Sequence, residues 1–261
     1  MKIPRWLQWL VFGVALYLYR LNRTRQPMIV AGHRGGAGLA PENTLASLRN
    51  GYELGARWLE VDVQRTRDGV LVVLHDNELE RTSNGVGHVK DIDYASLAQL
   101  DAGSWYSPAF KDERIPTLAA ALDFVQEREL TLVIEMKDPA IYPGIGAEIL
   151  QMIRDRQAEH NIVIISFDLD WLRAFHETAP DLRVGGLWVW MPAADVIPNA
   201  QYVDVYWRAA LYDPTLVWRA HHSGRKVIVW TVNDPLIARI LYLIGVDVIT
   251  TDRPDLILPL V

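Results

Sequence analysis

The residues equipped for chemistry share a position relative to the apolar runs of the chain. His33 and Arg34 follow MIVAG, Glu60 and Asp62 alternate inside WLEVDV, His75 and Asp76 follow VLVVL, and Glu135 and Lys137 close LTLVIEMK. On an extended backbone residues i and i+2 share a face, so Glu60 points with Asp62, and Glu135 with Lys137. Three carboxylates and one ammonium turned inward from apolar strands leave a deficit of positive charge that a bound cation would fill. The donors are hard oxygens and the chain has no cysteine, so Mg2+ or Ca2+ is expected in preference to zinc. Taken singly, a carboxylate or histidine at a strand end belongs to a surface ion pair or to packing; as a set in strand phase these residues describe a site. His88, His160, His176, His221 and His222 lack that setting and are assigned to packing or surface.

Something must carry these side chains to one place. After Pro27 the chain repeats a β-branched run, a polar loop and a helix-period stretch. Strand patterns cover 28–33, 58–63, 70–75, 130–136, 162–167, 182–190, 202–207, 226–232 and 246–250. Helical patterns cover 44–55, 117–126, 145–156, 168–177 and 235–245. Near-continuous apolar strands alternating with amphipathic helices predict a parallel sheet buried on both faces. Eight or nine such units in about 235 residues predict a TIM (β/α)8 barrel, an α/β fold whose strand C-termini converge on one mouth. A doubly wound open sheet is the runner-up, disfavoured because GHRGGAG lacks the G-x-G-x-x-G spacing. The polar interval 77–115 predicts a long loop at the mouth, of the kind that usually has a function.

Composition excludes other classes. Half the residues are hydrophobic and 22% are charged, so the body is neither disordered nor a multi-span membrane protein. The absence of cysteine removes disulfides, thiol nucleophiles and iron–sulfur clusters. Of the net charge of −6, five positive charges (Lys2, Arg5, Arg20, Arg23 and Arg25) precede Pro27, which leaves −11 on the body and argues against nucleic-acid binding.

The N-terminal segment WLQWLVFGVALYLYRL, Trp6 to Leu21, is apolar with basic flanks and terminal aromatics, and predicts a hydrophobic anchor helix. At 1.5 Å per residue it spans roughly 24 Å, short of the ~30 Å hydrocarbon core, so a full crossing requires Arg5 and Arg20 to snorkel. An interfacial helix or a cleaved signal peptide are the alternatives; no small-x-small cleavage pattern follows the run. Lys2, Arg5 and the amino terminus balance Arg20, Arg23 and Arg25, so basic residues set no orientation. The expected division is an anchor and basic linker over 1–26 and a barrel over 27–261, with no sequence feature that sets an oligomeric state.

The stretch AGHRGGAGLAPENTLASLRNGYELGARWLEVDVQRTRDGVLVVLHD resembles the signature region of the glycerophosphodiester phosphodiesterase family. The similarity continues through DAGSWYSPAFKDERIPTLAAAL, IEMK, SFD, VIVWTVN and VITTDRPD, and so extends from Met28 to Asp255. The specificity lies in the order H-R-G-G, P-E-N-T, E-x-D, H-D and E-x-K; any one of these alone is weak. The resemblance implies a TIM barrel and metal-dependent hydrolysis of a glycerophosphodiester to an alcohol and sn-glycerol 3-phosphate. By the same resemblance Glu60, Asp62 and Glu135 match the metal ligands and His33 and His75 the acid–base pair. Arg34 and Lys137 match groups that hold the phosphate, and Trp230 an aromatic on the glycerol side. The apolar N-terminus departs from soluble members and resembles membrane-attached ones.

Either histidine can be base or acid, and the nucleophile is either water or the glycerol 2-hydroxyl. Eight tryptophans lie beyond the N-terminal segment, among them Trp105, Trp188, Trp190 and Trp207. Any at the mouth would meet acyl chains, which adds lysophospholipids, and a lysophospholipase D activity at the membrane, to the expected substrates. A non-catalytic barrel that binds phospho-head groups is the reading from another class, and it has no use for two histidines beside a phosphate clamp.

Overall fold

In the computed structural model the described residues are 27–190, 197–213 and 215–260. The apolar run Trp6–Leu21 lies outside them; among the described residues no helix is long and apolar enough to cross a membrane.

Eight parallel strands close into a barrel: β1 (Ile29–Gly32), β2 (Trp58–Arg65), β4 (Thr131–Met136), β5 (Ile162–Ser166), β6 (Arg183–Trp188), β7 (Tyr202–Tyr206), β8 (Lys226–Trp230) and β9 (Val248–Thr251). β1 pairs with both β9 and β2, which leaves no free edge among the eight. The TIM-type barrel is therefore as expected, with one correction. The run 70–75 is no stave: β3 (Leu71–Val73) pairs antiparallel with the end of β2, Val63 opposite Val73 and Arg65 opposite Leu71. The turn between them is too short for a parallel crossover, which needs a dozen or more residues.

Helices end where local chemistry stops them. α1 (Leu45–Leu54) opens on a capping box between Thr44 and Ser47 and closes on left-handed Gly55. Thr117 caps α2 (Leu118–Gln126), and α3 (Ile145–Asp155) follows β4. Asp168 caps α4 (Leu169–Thr178), and α5 (Trp207–Tyr212) and α6 (Thr215–His222) follow β7. Asp234 caps α7 (Pro235–Ile244), which ends on left-handed Gly245. α5 and α6 were not legible as periodic stretches; both are short.

The strands bury both faces. Outward side chains such as Leu59, Val61, Ile134 and Ile164 pack beneath the helices, and inward ones such as Ala31, Trp58, Val133, Val163, Leu187, Ile228 and Val248 fill the barrel. The interval 77–115 is not an open loop. It builds its own apolar cluster of Leu79, Val89, Leu97, Ala102 and Ile115 with Val72 and Leu74 of the β3 region.

Candidate active site

Inward parity continues to the C-terminal ends of the strands, and there the filling changes from apolar to charged. Above Trp58 on β2 stand Glu60 and Asp62, 2% and 0% exposed, and above Val133 on β4 stands Glu135, 8% exposed. Asp62 lies in register with Glu135. One oxygen from each of the three carboxylates lies within 4.8 Å of the others. Glu60 Oε1 and Asp62 Oδ1 are buried and accept no hydrogen bond; Glu135 Oε1 forms an ion pair with Lys137 Nζ at 2.8 Å. Unpaired buried oxygens of this kind are costly unless something else binds them, and three hard donors facing one point fit a divalent cation.

The electrostatics agree. Burial, and then the charge of Asp62, push the carboxyl of Glu60 well above the ordinary range. Burial followed by Asp62 also raises Glu135. Asp62 moves the other way: burial opposes its charge, but Arg34, His75, Lys137 and the Asn43 amide hold it below the ordinary value. The cluster carries more negative charge than its surroundings neutralise.

The turn after β1 brings His33 and Arg34 to the same mouth. Arg34 takes left-handed dihedrals, φ 51° and ψ 37°, and its backbone N–H donates to Glu60 Oε2 at 2.8 Å. Gly35, at φ +86°, packs so closely on α1 that a Cβ would lie 2.6 Å from the Ser47 carbonyl carbon. Ser47 Oγ in turn donates to the Arg34 carbonyl at 2.8 Å, so the first turn of α1 fixes the loop. The Arg34 guanidinium donates to Glu42 Oε1 at 2.7 Å and lies 3.4 Å from Asp62 Oδ2 through Nε.

Each histidine is held by an aspartate at Nδ1, which leaves Nε2 for the site. His33 Nδ1 lies 2.6 Å from Asp252 Oδ1, and Asn233 donates to the second oxygen of Asp252 at 2.7 Å. His75 Nδ1 meets Asp76, whose other oxygen accepts from Arg81. Lys137 Nζ, 3.0 Å from His75 Nε2, completes that side. The two imidazoles titrate in opposite directions. Burial lowers the pKa of His33, but the Asp252 hydrogen bond and the Glu60 charge more than offset it, and the net shift is upward. At His75 burial dominates: Asp62 and Asp76 raise the pKa and Arg34 and Lys137 lower it, and the cost of burial leaves the net shift downward.

His33, Arg34, Glu60, His75, Glu135, Lys137 and Trp230 all line a single cavity of about 130 Å³. Its remaining walls include Ile165, Phe167, Leu187, Asp204 and Thr250. Asp62 belongs to the carboxylate trio beneath. All eight expected residues thus meet at one place, and none of the five histidines assigned to packing or surface lines the cavity. His221 pairs with Asp247 at 2.8 Å and His222 with the Trp218 carbonyl at 2.9 Å.

Sequence reasoning left out the supports. Asn43 donates to Asp62 Oδ2 at 2.8 Å and accepts from the Asp62 backbone N–H at 3.2 Å. Glu42 bridges Arg34 to Arg81, which donates to both of its oxygens at 2.8 Å. P-E-N-T and D-R-P-D carried Glu42, Asn43 and Asp252 in plain view, as motif letters without roles. Arg81 sits in the 77–115 interval, where no periodicity marks it. Asp204 was passed over although its parity on YVDVYW is that of Glu60 on WLEVDV.

The glycerophosphoryl diester phosphodiesterase family matches residues 33–256. The chain belongs to that family. A glycerophosphodiester phosphodiesterase of Caldanaerobacter subterraneus subsp. tengcongensis is 35% identical over 237 residues, covering 89% of this chain and 97% of the relative. Among solved structures, a phosphodiesterase of Oleispira antarctica in complex with the product sn-glycerol-3-phosphate superposes with a TM-score of 0.82 at 29% identity, covering 89% of this chain and 96% of that one. The glycerophosphodiester phosphodiesterase of Agrobacterium tumefaciens gives 0.78 at 28% identity, covering 88% and 98%. The family match runs from the histidine after β1 to the helix after β9, and so includes every residue placed in the site of this glycerophosphoryl diester phosphodiesterase barrel.

Proposed function

We propose that the chain hydrolyses glycerophosphodiesters to sn-glycerol 3-phosphate and an alcohol, with Glu60, Asp62 and Glu135 holding one divalent cation, Mg2+ or Ca2+. The observation that carries the metal is the trio of buried carboxylates whose oxygens lie within 4.8 Å of one another, one oxygen each of Glu60 and Asp62 accepting no hydrogen bond. When bound, the cation supplies Lewis-acid polarisation and neutralises charge on the phosphoryl oxygens. Arg34 and Lys137 flank the trio and bind the remaining phosphate charge, which grows as the leaving oxygen departs.

His33 and His75 move the protons. One imidazole accepts from the nucleophile as its oxygen bonds to phosphorus; the other donates to the leaving oxygen as the P–O bond breaks. Their opposite shifts favour one neutral and one protonated ring near neutral pH, and Asp252 and Asp76 hold both rings in place. With water as nucleophile the alcohol leaves and sn-glycerol 3-phosphate forms directly; with the glycerol 2-hydroxyl the alcohol leaves as a cyclic phosphate forms, and water then opens it to sn-glycerol 3-phosphate. A 2-deoxy-glycerol substrate turned over at the normal rate would exclude the second route. Trp230, edge-on to Phe167 at 5.6 Å, gives the glycerol half an apolar wall.

One observation favours a second substrate. Val189 and Trp190, just past β6, are 60% and 53% exposed, and Trp190 rests 5.7 Å from the exposed ring of Tyr212. Such a surface suits an acyl chain, and a lysophospholipase D activity on lysophospholipids would use it. The apolar run Trp6–Leu21 supports attachment to a membrane, which fractionation of the full chain with and without residues 1–26 tests. Assaying glycerophosphocholine, glycerophosphoethanolamine and lysophosphatidylcholine side by side, each with Mg2+, Ca2+ and chelator, tests the whole reading.

A further inference from the structure

Past β3 the backbone at His75 and Asp76 belongs to neither strand nor helix. A buried chain of side-chain hydrogen bonds fixes it instead. Gln64, two residues beyond Asp62 on β2 and 0% exposed, donates from Nε2 to the His75 carbonyl at 3.0 Å, and its Oε1 accepts from the Tyr142 hydroxyl at 2.8 Å. Turned the other way, the amide would set its oxygen against the carbonyl oxygen of His75, so that carbonyl dictates its orientation. Tyr142 is buried, its ring is part of the apolar core beneath the helices, and the Arg65 guanidinium lies 5.6 Å from the ring. Burial pushes the phenol up to about 12, which keeps its hydroxyl a donor at neutral pH.

The carbonyl that Gln64 holds belongs to the peptide joining His75 to Asp76. That unit is planar, so its orientation sets how the two side chains leave the backbone, and these two side chains pair with each other through His75 Nδ1. The segment after β4 thus acts on His75 from two directions: Lys137 Nζ lies 3.0 Å from Nε2, and Tyr142 stands behind Gln64. Asn77 donates to Asp138 Oδ2 at 2.7 Å and ties the same two segments together one step further on. Neither Gln64 nor Tyr142 lines the cavity, so any effect they have on the reaction passes through His75.

We propose that Gln64, seated by Tyr142, is a positioning residue for the reaction: it pins the peptide between His75 and Asp76 and so holds the imidazole in line for proton transfer. This deepens the phosphodiesterase reading and rests on it. A glutamine that only satisfied a buried carbonyl would contribute to stability and leave kcat alone. One that aims His75 contributes to kcat, and does so through the pairing of the ring with Asp76.

The test is a double-mutant cycle in steady-state hydrolysis of glycerophosphocholine by the full chain, with Mg2+ or Ca2+, whichever supports turnover. Gln64→Met keeps the length of the side chain and removes both hydrogen bonds; it is expected to lower kcat by about tenfold, as misplacement of a reacting group does. KM should stay within about twofold, because the residues that hold the phosphate are untouched. In an Asp76→Asn background the same change should lower kcat by less than about threefold, since the pairing it serves is already broken. Tyr142→Phe, which loses a hydroxyl alone, should lower kcat by roughly threefold, and it carries the cycle should Gln64→Met not fold. An unchanged kcat in Gln64→Met, or losses that multiply in the double variant, overturns the positioning role and leaves the hydrolase standing. Failure of the wild type to hydrolyse glycerophosphocholine under either cation overturns both.

Discussion

Replacing Glu60 by Gln should have opposite consequences with and without cation. In the metal-free protein two unit charges 4.8 Å apart repel by about 3 kcal/mol at an effective dielectric of 20, and Glu60 faces both Asp62 and Glu135. Arg34 and Lys137 offset part of this, and protonation relieves more, so the metal-free variant is expected to melt at or above the wild-type temperature. With the cation the sign reverses. A cation at a hundred times its Kd adds about 2.7 kcal/mol to the wild type. For a chain of this size that is roughly 5–10 °C in Tm. Glu60→Gln removes one of three anionic donors and should lose most of the increment, together with at least about 100-fold of the hydrolysis rate. Thermal melting of chelator-treated protein, titrated with Mg2+ and separately with Ca2+, reads both effects. A wild-type Tm indifferent to millimolar cation, or a variant that keeps the full increment, would refute the argument.

Three other outcomes are expected. His33→Ala and His75→Ala should each lower kcat by about 100-fold or more in steady-state assays, the usual contribution of a positioned acid or base, with little change in Tm. Arg81→Ala frees Asp76 and Glu42 together and should cost roughly tenfold in kcat with a smaller effect on KM, and Arg81→Lys should recover part of it; equal losses in both variants would show that the fork geometry is what matters. Asp101 accepts from the backbone N–H groups of Gly103, Ser104 and Asp112 and from the Ser104 hydroxyl, and these bonds hold its carboxyl far below the ordinary value. Its folded pKa is depressed, so its stabilising contribution is complete above the unfolded carboxylate value and fades as pH falls through the folded one. Asp101→Ala should therefore lower Tm at pH 6 and converge on wild type in acid, as melts across pH 2–7 would show.

Much of the fold was legible because buried parallel strands announce themselves as apolar runs and helices as capped periodic stretches. Thr44, Thr117 and Asp168 mark helix starts in the sequence and cap them in the structure. The misplaced stave has a physical reason: VLVVL says strand but carries no sign of direction, and the sign lay in the short R-T-R-D-G turn before it, which only a hairpin can use. The inward carboxylates Glu60, Asp62 and Glu135 were readable because parity fixes where a strand residue points. Their supports were not, because Arg81 and Glu42 meet through loops whose contacts no local pattern encodes. Asp204 obeyed parity but stood alone on its strand, and only the structure shows its register neighbours to be apolar and its oxygen unpaired.

The central claim is that the cavity at the barrel mouth cleaves a glycerophosphodiester with the help of a cation held by Glu60, Asp62 and Glu135. Release of sn-glycerol 3-phosphate from glycerophosphocholine by the purified full chain measures it most directly. The account predicts release with Mg2+ or Ca2+, its loss on chelation, and its recovery when the cation is restored. Release undiminished by chelator, or none under any divalent cation, would contradict it.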